Sequence, residues 1–94
     1  MIRIIAESVV CADRQAEYLA VVAELVEKSR AEDGCLDYGL WRSMADPTRF
    51  TMMECWTDQA AIDRHNASEH FTRIVPLMAA LRKSSMVVKY EKVM

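Results

Sequence analysis

Residues 35–56, CLDYGLWRSMADPTRFTMMECW, decide the fold of this chain. Two runs rich in apolar and aromatic residues, 35–43 and 49–56, flank the turn-forming segment 44–48, whose Asp46-Pro47 pair favours a reversal. The stretch therefore predicts an antiparallel hairpin. Upstream, IRIIAESVV (2–10) predicts a first strand. Asp13 then opens an Ala-, Leu- and Glu-rich run, without Gly or Pro, that predicts a helix to about residue 32. Tyr18, Val22 and Leu25, with Leu19 and Val26, recur there at helical spacing, while Arg14, Glu17, Glu24 and Lys28 turn outward. Glu24 and Lys28 are ordered for i,i+4 support, and Gly34 stands where a helix C-cap is expected. Downstream, Asp58 caps a two-turn helix to about His65. The tripeptide 66–68 (Asn-Ala-Ser) interrupts it, and Ser68 caps a longer helix to about Lys83. Phe71, Ile74, Val75, Met78 and Leu81 line one side of that helix, and Pro76 should kink it or mark a junction. Residues 85–93 predict a last strand. The order β-α-β-β-α-β is that of a ferredoxin-like α+β sandwich, one domain over residues 1–94.

Composition removes several function classes. Twelve basic residues against fourteen acidic ones give a net charge of −2. That is no footprint for phosphate backbones, so nucleic acid is not an expected partner. No apolar run reaches the roughly 18 residues that span a bilayer, so no membrane partner is expected. Arg3 and Glu7 interrupt the apolar N-terminus and argue against a signal-peptide core. Three scattered cysteines (Cys11, Cys35 and Cys55) without a CxxC fit reduced thiols in a cytoplasm.

Both faces of the sheet are apolar. Phe50, Met52 and Trp56 share one face of the third strand and Met53 and Cys55 the other. Ile2, Ile4 and Ala6 oppose Ile5 and Val9, and Met86 and Val88 oppose Val87 and Val93. Two helical segments cover only one face, so the other predicts a homodimer built through the sheets.

The candidate functional residues are those that break the apolar pattern. Ala61 and Ile62 place His65 on the apolar side of its helix, where an imidazole is either a hydrogen-bonded structural group or an acid/base facing a pocket. His70 flanks the apolar stripe that begins at Phe71. The two histidines are i and i+5, about 140° apart on a continuous helix, and the helix is broken between them; this spacing argues against a metal pair. Glu54 sits between Met52 and Trp56 on one strand face, which requires a basic partner or a cleft. Tyr38, Trp41 and Trp56 are core, interface or a shelf for an aromatic ligand. Met52 and Met53 suit an adaptable pocket wall. No phosphate-binding loop, dinucleotide fingerprint or Ser-His-Asp order is present.

EDGCLDYGLW (32–41) followed by RFTMMECWTDQAAIDRHNASEHF (49–71) resembles the antibiotic biosynthesis monooxygenase family. The matching residues are Gly34, Cys35, Tyr38, Glu54, Trp56, His65, Ser68, His70 and Phe71, and the likeness covers almost the whole chain. The resemblance implies a dimeric α+β barrel with a pocket between sheet and helices in each subunit. It also implies small oxygenases that act on quinols or polyketide aromatics without metal, flavin or other cofactor. On that reading His65 is the base or hydrogen-bonding group and Glu54 orients a partner, with Tyr38, Trp56, His70, Phe71 and Met52 around the substrate. The family's haem-degrading branch uses an Asn, a Trp and a His; here Ser8, His65 and Val75 stand near those positions, which disfavours haem degradation. An isomerase or lyase of a small oxygenated metabolite, and a non-catalytic ligand-binding or regulatory dimer, are the alternatives.

Overall fold

The computed structural model describes residues 1–94. It comprises β1 (Ile2–Val10), a 3-10 turn (Ala12–Arg14), α1 (Gln15–Arg30), β2 (Cys35–Arg42), β3 (Arg49–Trp56), α2 (Gln59–Asn66), α3 (Glu69–Leu81) and β4 (Arg82–Glu91). The four strands form one antiparallel sheet in the order β2-β3-β1-β4. This is the ferredoxin-like arrangement that the order of elements predicted.

Three boundaries differ from expectation, each for a local reason. The first helix is preceded by a 3-10 turn, in which the Arg14 N–H bonds the Cys11 carbonyl at 2.9 Å, and Arg14 has no side-chain acceptor with which to cap α1. It ends at Arg30 rather than near residue 32, where the Glu32 N–H turns back to the Ser29 carbonyl and Gly34 takes a φ of 85°. Only glycine holds that φ without strain. A Cβ on Gly34 would also lie 2.6 Å from the Ala61 Cβ, so the turn packs directly against α2. Finally, α3 passes into β4 at Arg82 without a loop, three residues earlier than expected. Val10 of β1 already pairs with Arg82, and the Cys11 N–H bonds the Leu81 carbonyl. Pro76 lies inside α3, on its exposed side, and marks no junction.

The helices cover one face of the sheet. Tyr18, Val22 and Leu25 of α1, Ala61 and Ile62 of α2, and Ile74, Met78 and Leu81 of α3 close over Ile4, Val10, Tyr38, Phe50, Met52 and Trp56. Each large side chain buried this way contributes about 1.5–3 kcal/mol. Leu19, by contrast, faces outward from α1 and is half exposed. Arg30 Nε donates to the Tyr38 carbonyl at 2.7 Å and pins the end of α1 to β2.

The opposite face carries no helix. Register places Met53, Ile5 and Val88 side by side across β3, β1 and β4, with Cys55, Arg3 and Tyr90 in the next row of that face. Trp41 lies on this face too and is 60% exposed, so it belongs to neither core nor cleft.

Candidate active site

The site is assembled by the break between α2 and α3. Asp58 caps α2 by accepting from the Ala61 N–H at 2.9 Å, and α2 then buries Ala61, Ile62 and His65 along one stripe. Ala67 is the last residue in helical geometry. Ser68 is extended, and its hydroxyl both donates to the His65 carbonyl at 2.6 Å and accepts from the Phe71 N–H, capping α3. That two-residue change of direction carries His70 back toward His65, and the ring centroids are 6.1 Å apart. The i,i+5 spacing, about 140° on one helix with a break between the rings, counted against a meeting of the two. The break instead turns the chain onto a second axis that brings them together.

The two histidines meet at Glu32, in the turn after α1. His65 Nδ1 lies 2.5 Å and His70 Nε2 3.1 Å from the same carboxylate oxygen, Oε2. A carboxylate can only accept, so both ring nitrogens carry the proton and donate. His65 Nε2 is thereby left with its lone pair, and it has no hydrogen-bond partner in the chain. The ring is buried, stacked 4.6 Å from Trp56 and edge-on to Tyr38 and Phe71 at 5.4 and 5.0 Å. Burial lowers the imidazole pKa below its ordinary 6.5, and Glu32 only partly opposes this. His65 is therefore a neutral imidazole near pH 7.

Glu54 approaches from the sheet. It projects from β3 on the helix-covered face, opposite Tyr38 of β2 and Ile4 of β1, and is 6% exposed. Trp56, two residues on and on the same face, donates its indole N–H to Glu54 Oε1 at 3.0 Å. No cation pairs with this carboxyl. Burial pushes its pKa up to about 7, with the indole pulling weakly the other way. Burial likewise keeps the Tyr38 phenol protonated, with Glu54 adding to the effect.

These groups surround a cavity of about 260 Å³ between the sheet and α2 and α3. Tyr38, Met52, Glu54, His65 and Phe71 line it, with Val75 and Met78 from α3. Trp56 does not: it is fully buried behind Glu54 and reaches the cavity only through that carboxyl. His70 is also outside, on the far side of the His65 ring. Arg82 and Lys89 of β4 reach the cavity, and Lys89 Nζ donates to Gln59 Oε1 at 3.0 Å. Sequence reasoning passed over both cations, because on an edge strand they read as solvated. It passed over Glu32 as well, although that residue opens the Glu-Asp-Gly-Cys stretch. A polar turn has no periodicity from which to read direction.

The arrangement combines an open imidazole lone pair, a proton-bearing carboxyl near neutrality and an apolar wall. It can bind a small, largely apolar molecule and move one proton from it. Comparisons with known proteins agree with the fold. The model of the family described as "Antibiotic biosynthesis monooxygenase" matches residues 1–77. A crystal structure of an antibiotic biosynthesis monooxygenase is similar over 100% of both chains, with 40% identity and a TM-score of 0.94. A conserved protein of Methanosarcina mazei Go1 has 33% identity and a TM-score of 0.94, over 97% of this chain and 91% of that one. YcnE of Bacillus subtilis, named a "Putative monooxygenase", is 36% identical over 63 residues, 67% of this chain and 66% of that protein. The chain thus spans just under two thirds of YcnE's length. The chain belongs to the antibiotic biosynthesis monooxygenase family. No helix is long and apolar enough to cross a membrane.

Proposed function

We propose that this protein is a cofactor-independent monooxygenase that oxidises a small aromatic, quinol or polyketide-type substrate with O2. The observation that carries the reading is the unpartnered His65 Nε2, held at the cavity by Glu32 on its opposite nitrogen. His65 removes a proton from an activated C–H or O–H of the substrate. The resulting delocalised anion reduces O2 by one electron, and the two radicals combine into a carbon-bound peroxide. Where the attacked carbon is a methylene flanked by aromatic rings, loss of water from the hydroperoxide leaves a carbonyl. One oxygen atom enters the product and the other leaves as water, so no external reductant is needed. Protonated Glu54 donates a hydrogen bond to the developing oxyanion, and Lys89 and Arg82 favour negative charge at the rim. Tyr38, Phe71 and Met52 form the substrate walls. Trp56 holds Glu54 and His70 holds Glu32, so both are positioning residues rather than contacts to the substrate.

The volume of about 260 Å³ lies just below the roughly 300–1,000 Å³ of most ligand pockets, which favours one- or two-ring substrates over three-ring ones. The uncovered face, centred on Met53, Ile5 and Val88, pairs with a second copy in a sheet-to-sheet homodimer. The three free cysteines fit a cytoplasmic setting. Turnover under 18O2 of a phenol whose reactive methylene lies between two aromatic rings tests the chemistry. One labelled atom per product is expected; product without the label excludes oxygenation.

One observation favours a second reading. Glu54, whose pKa burial raises to about 7, and His65, which burial keeps neutral, line the same cavity. Such a pair also serves an isomerase that moves a proton between two carbons. Turnover that persists under anaerobic conditions selects it.

A further inference from the structure

The Glu32–His65–His70 cluster is more than a brace for one imidazole. A single carboxylate oxygen receives two imidazole nitrogens from two different helices, and all three ligand-type atoms lie within 4.8 Å of one another. Glu32 has no Lys or Arg partner; its only ion-pair contacts are the two histidines. Its carboxylate lies in a largely buried place, 15% exposed. The C-terminal ends of α1 and α2 and the first turn of α3 converge there, so the three side chains come from three separate elements.

We infer that Glu32, His65 and His70 form a binding site for a divalent transition-metal ion of the zinc class. Two imidazoles and one carboxylate are the ligand set that Zn2+ takes when it keeps one position for water or an added ligand. Tetrahedral bonds of about 2.0–2.1 Å place ligand atoms about 3.3–3.4 Å apart. The Glu32–histidine separations of 2.5 and 3.1 Å reach that span if Glu32 retreats by under about 1 Å, and the two ring nitrogens lie within 4.8 Å of each other. That carboxylate is 15% and His70 14% exposed, which provides an entry path from solvent, whereas His65 is 2% exposed and fixed by its neighbours. His65 would bind through Nδ1, on the side of the ring away from the cavity. The ion is therefore not part of the proposed turnover. It would instead hold the ring proton on Nε2 and withdraw the lone pair that the proposed function uses, a consequence that rests on that reading.

The test uses tag-free protein, stripped with EDTA and desalted, titrated with Co2+ and read by visible absorption. Saturable bands at one Co2+ per chain, bleached by Zn2+, are expected. In His70→Ala and Glu32→Gln the affinity should fall at least about a hundredfold, since loss of a ligand's outer partner alone costs about 10–100-fold. Far-UV circular dichroism checks that both variants fold. Because a variant can fail to fold, Zn2+ is also titrated into 15N-labelled wild-type protein while the imidazole nitrogens of both histidines are followed. Absent bands under large Co2+ excess, bands unchanged in both variants, or histidine signals that Zn2+ leaves in place overturn the site. Oxygen uptake assayed beside the titration separates the two claims. Inhibition that saturates with the bands supports both; bands without inhibition support the metal site and reject His65 as the base.

Discussion

Glu54 is a carboxyl without a cation, and its behaviour with pH is the most direct expression of the site. Its folded pKa of about 7 stands above the ordinary 4.5, so the folded protein holds this proton more tightly than the unfolded chain. Stability from this group is fully present below about pH 4.5 and is lost as pH rises through 7. The shift corresponds to about 3 kcal/mol. Glu54→Gln, which keeps the indole hydrogen bond, is expected to abolish that slope in melting curves taken between pH 5 and 8; an unchanged slope assigns it to another group. The same residues shape catalysis. Below pH 6.5 protonation of His65 removes the base, and above about 7 ionisation of Glu54 removes a donor, so kcat/KM should be bell-shaped. Glu54→Gln should retain the acid limb and lose the alkaline one. Glu32→Ala, which removes the acceptor that orients His65 through Nδ1, is expected to lower kcat by about 10²-fold with little change in KM. A KM effect alone would assign Glu32 to substrate binding. His65 and Glu54 were legible in the sequence because each interrupts an apolar stripe. Glu32 was not, because it stands in a turn, and the charge it carries toward two histidines arises only from tertiary placement.

At the scale of elements, the site depends on two junctions that are short and specific. Ser68 ties the end of α2 to the start of α3 through one hydroxyl. Ser68→Ala is expected to cost about 1 kcal/mol in denaturant unfolding, and to loosen His70 from Glu32, visible as a shift of the His70 ring resonances. Gly34 holds the turn that presents Glu32, with both a positive φ and a close approach to α2. Gly34→Ala should destabilise by about 2 kcal/mol or more, from left-handed strain plus the clash with Ala61. A change within about 0.5 kcal/mol would show that α2 moves aside easily. Strands, helices and caps were readable here because periodicity and capping residues are local signals. The convergence of His65 and His70 was not. A reversal of two residues redirects a helix axis, and no spacing rule along one axis anticipates it.

At the scale of the molecule, an apolar row of Met53, Ile5 and Val88 lies on a face without helices. The alternation of residues in the strands made that face visible in the sequence, whereas the cavity volume depends on how α3 packs and was not. Sedimentation is expected to give twice the chain mass of 10.8 kDa. Val88→Lys should shift the species toward the monomer, and a wild-type protein that sediments at the chain mass at every concentration contradicts the sheet-to-sheet dimer. The central claim is that this fold oxidises a substrate with O2 through His65 and without a cofactor. Oxygen uptake by the purified, metal-free protein against a panel of quinols and anthrone-like phenols, beside His65→Ala, tests it most directly. The account predicts substrate-dependent uptake without added cofactor, greatest for one- and two-ring quinols and reduced by at least about 10²-fold in the variant. Uptake equal in the variant and wild type, or none across the panel, would contradict it.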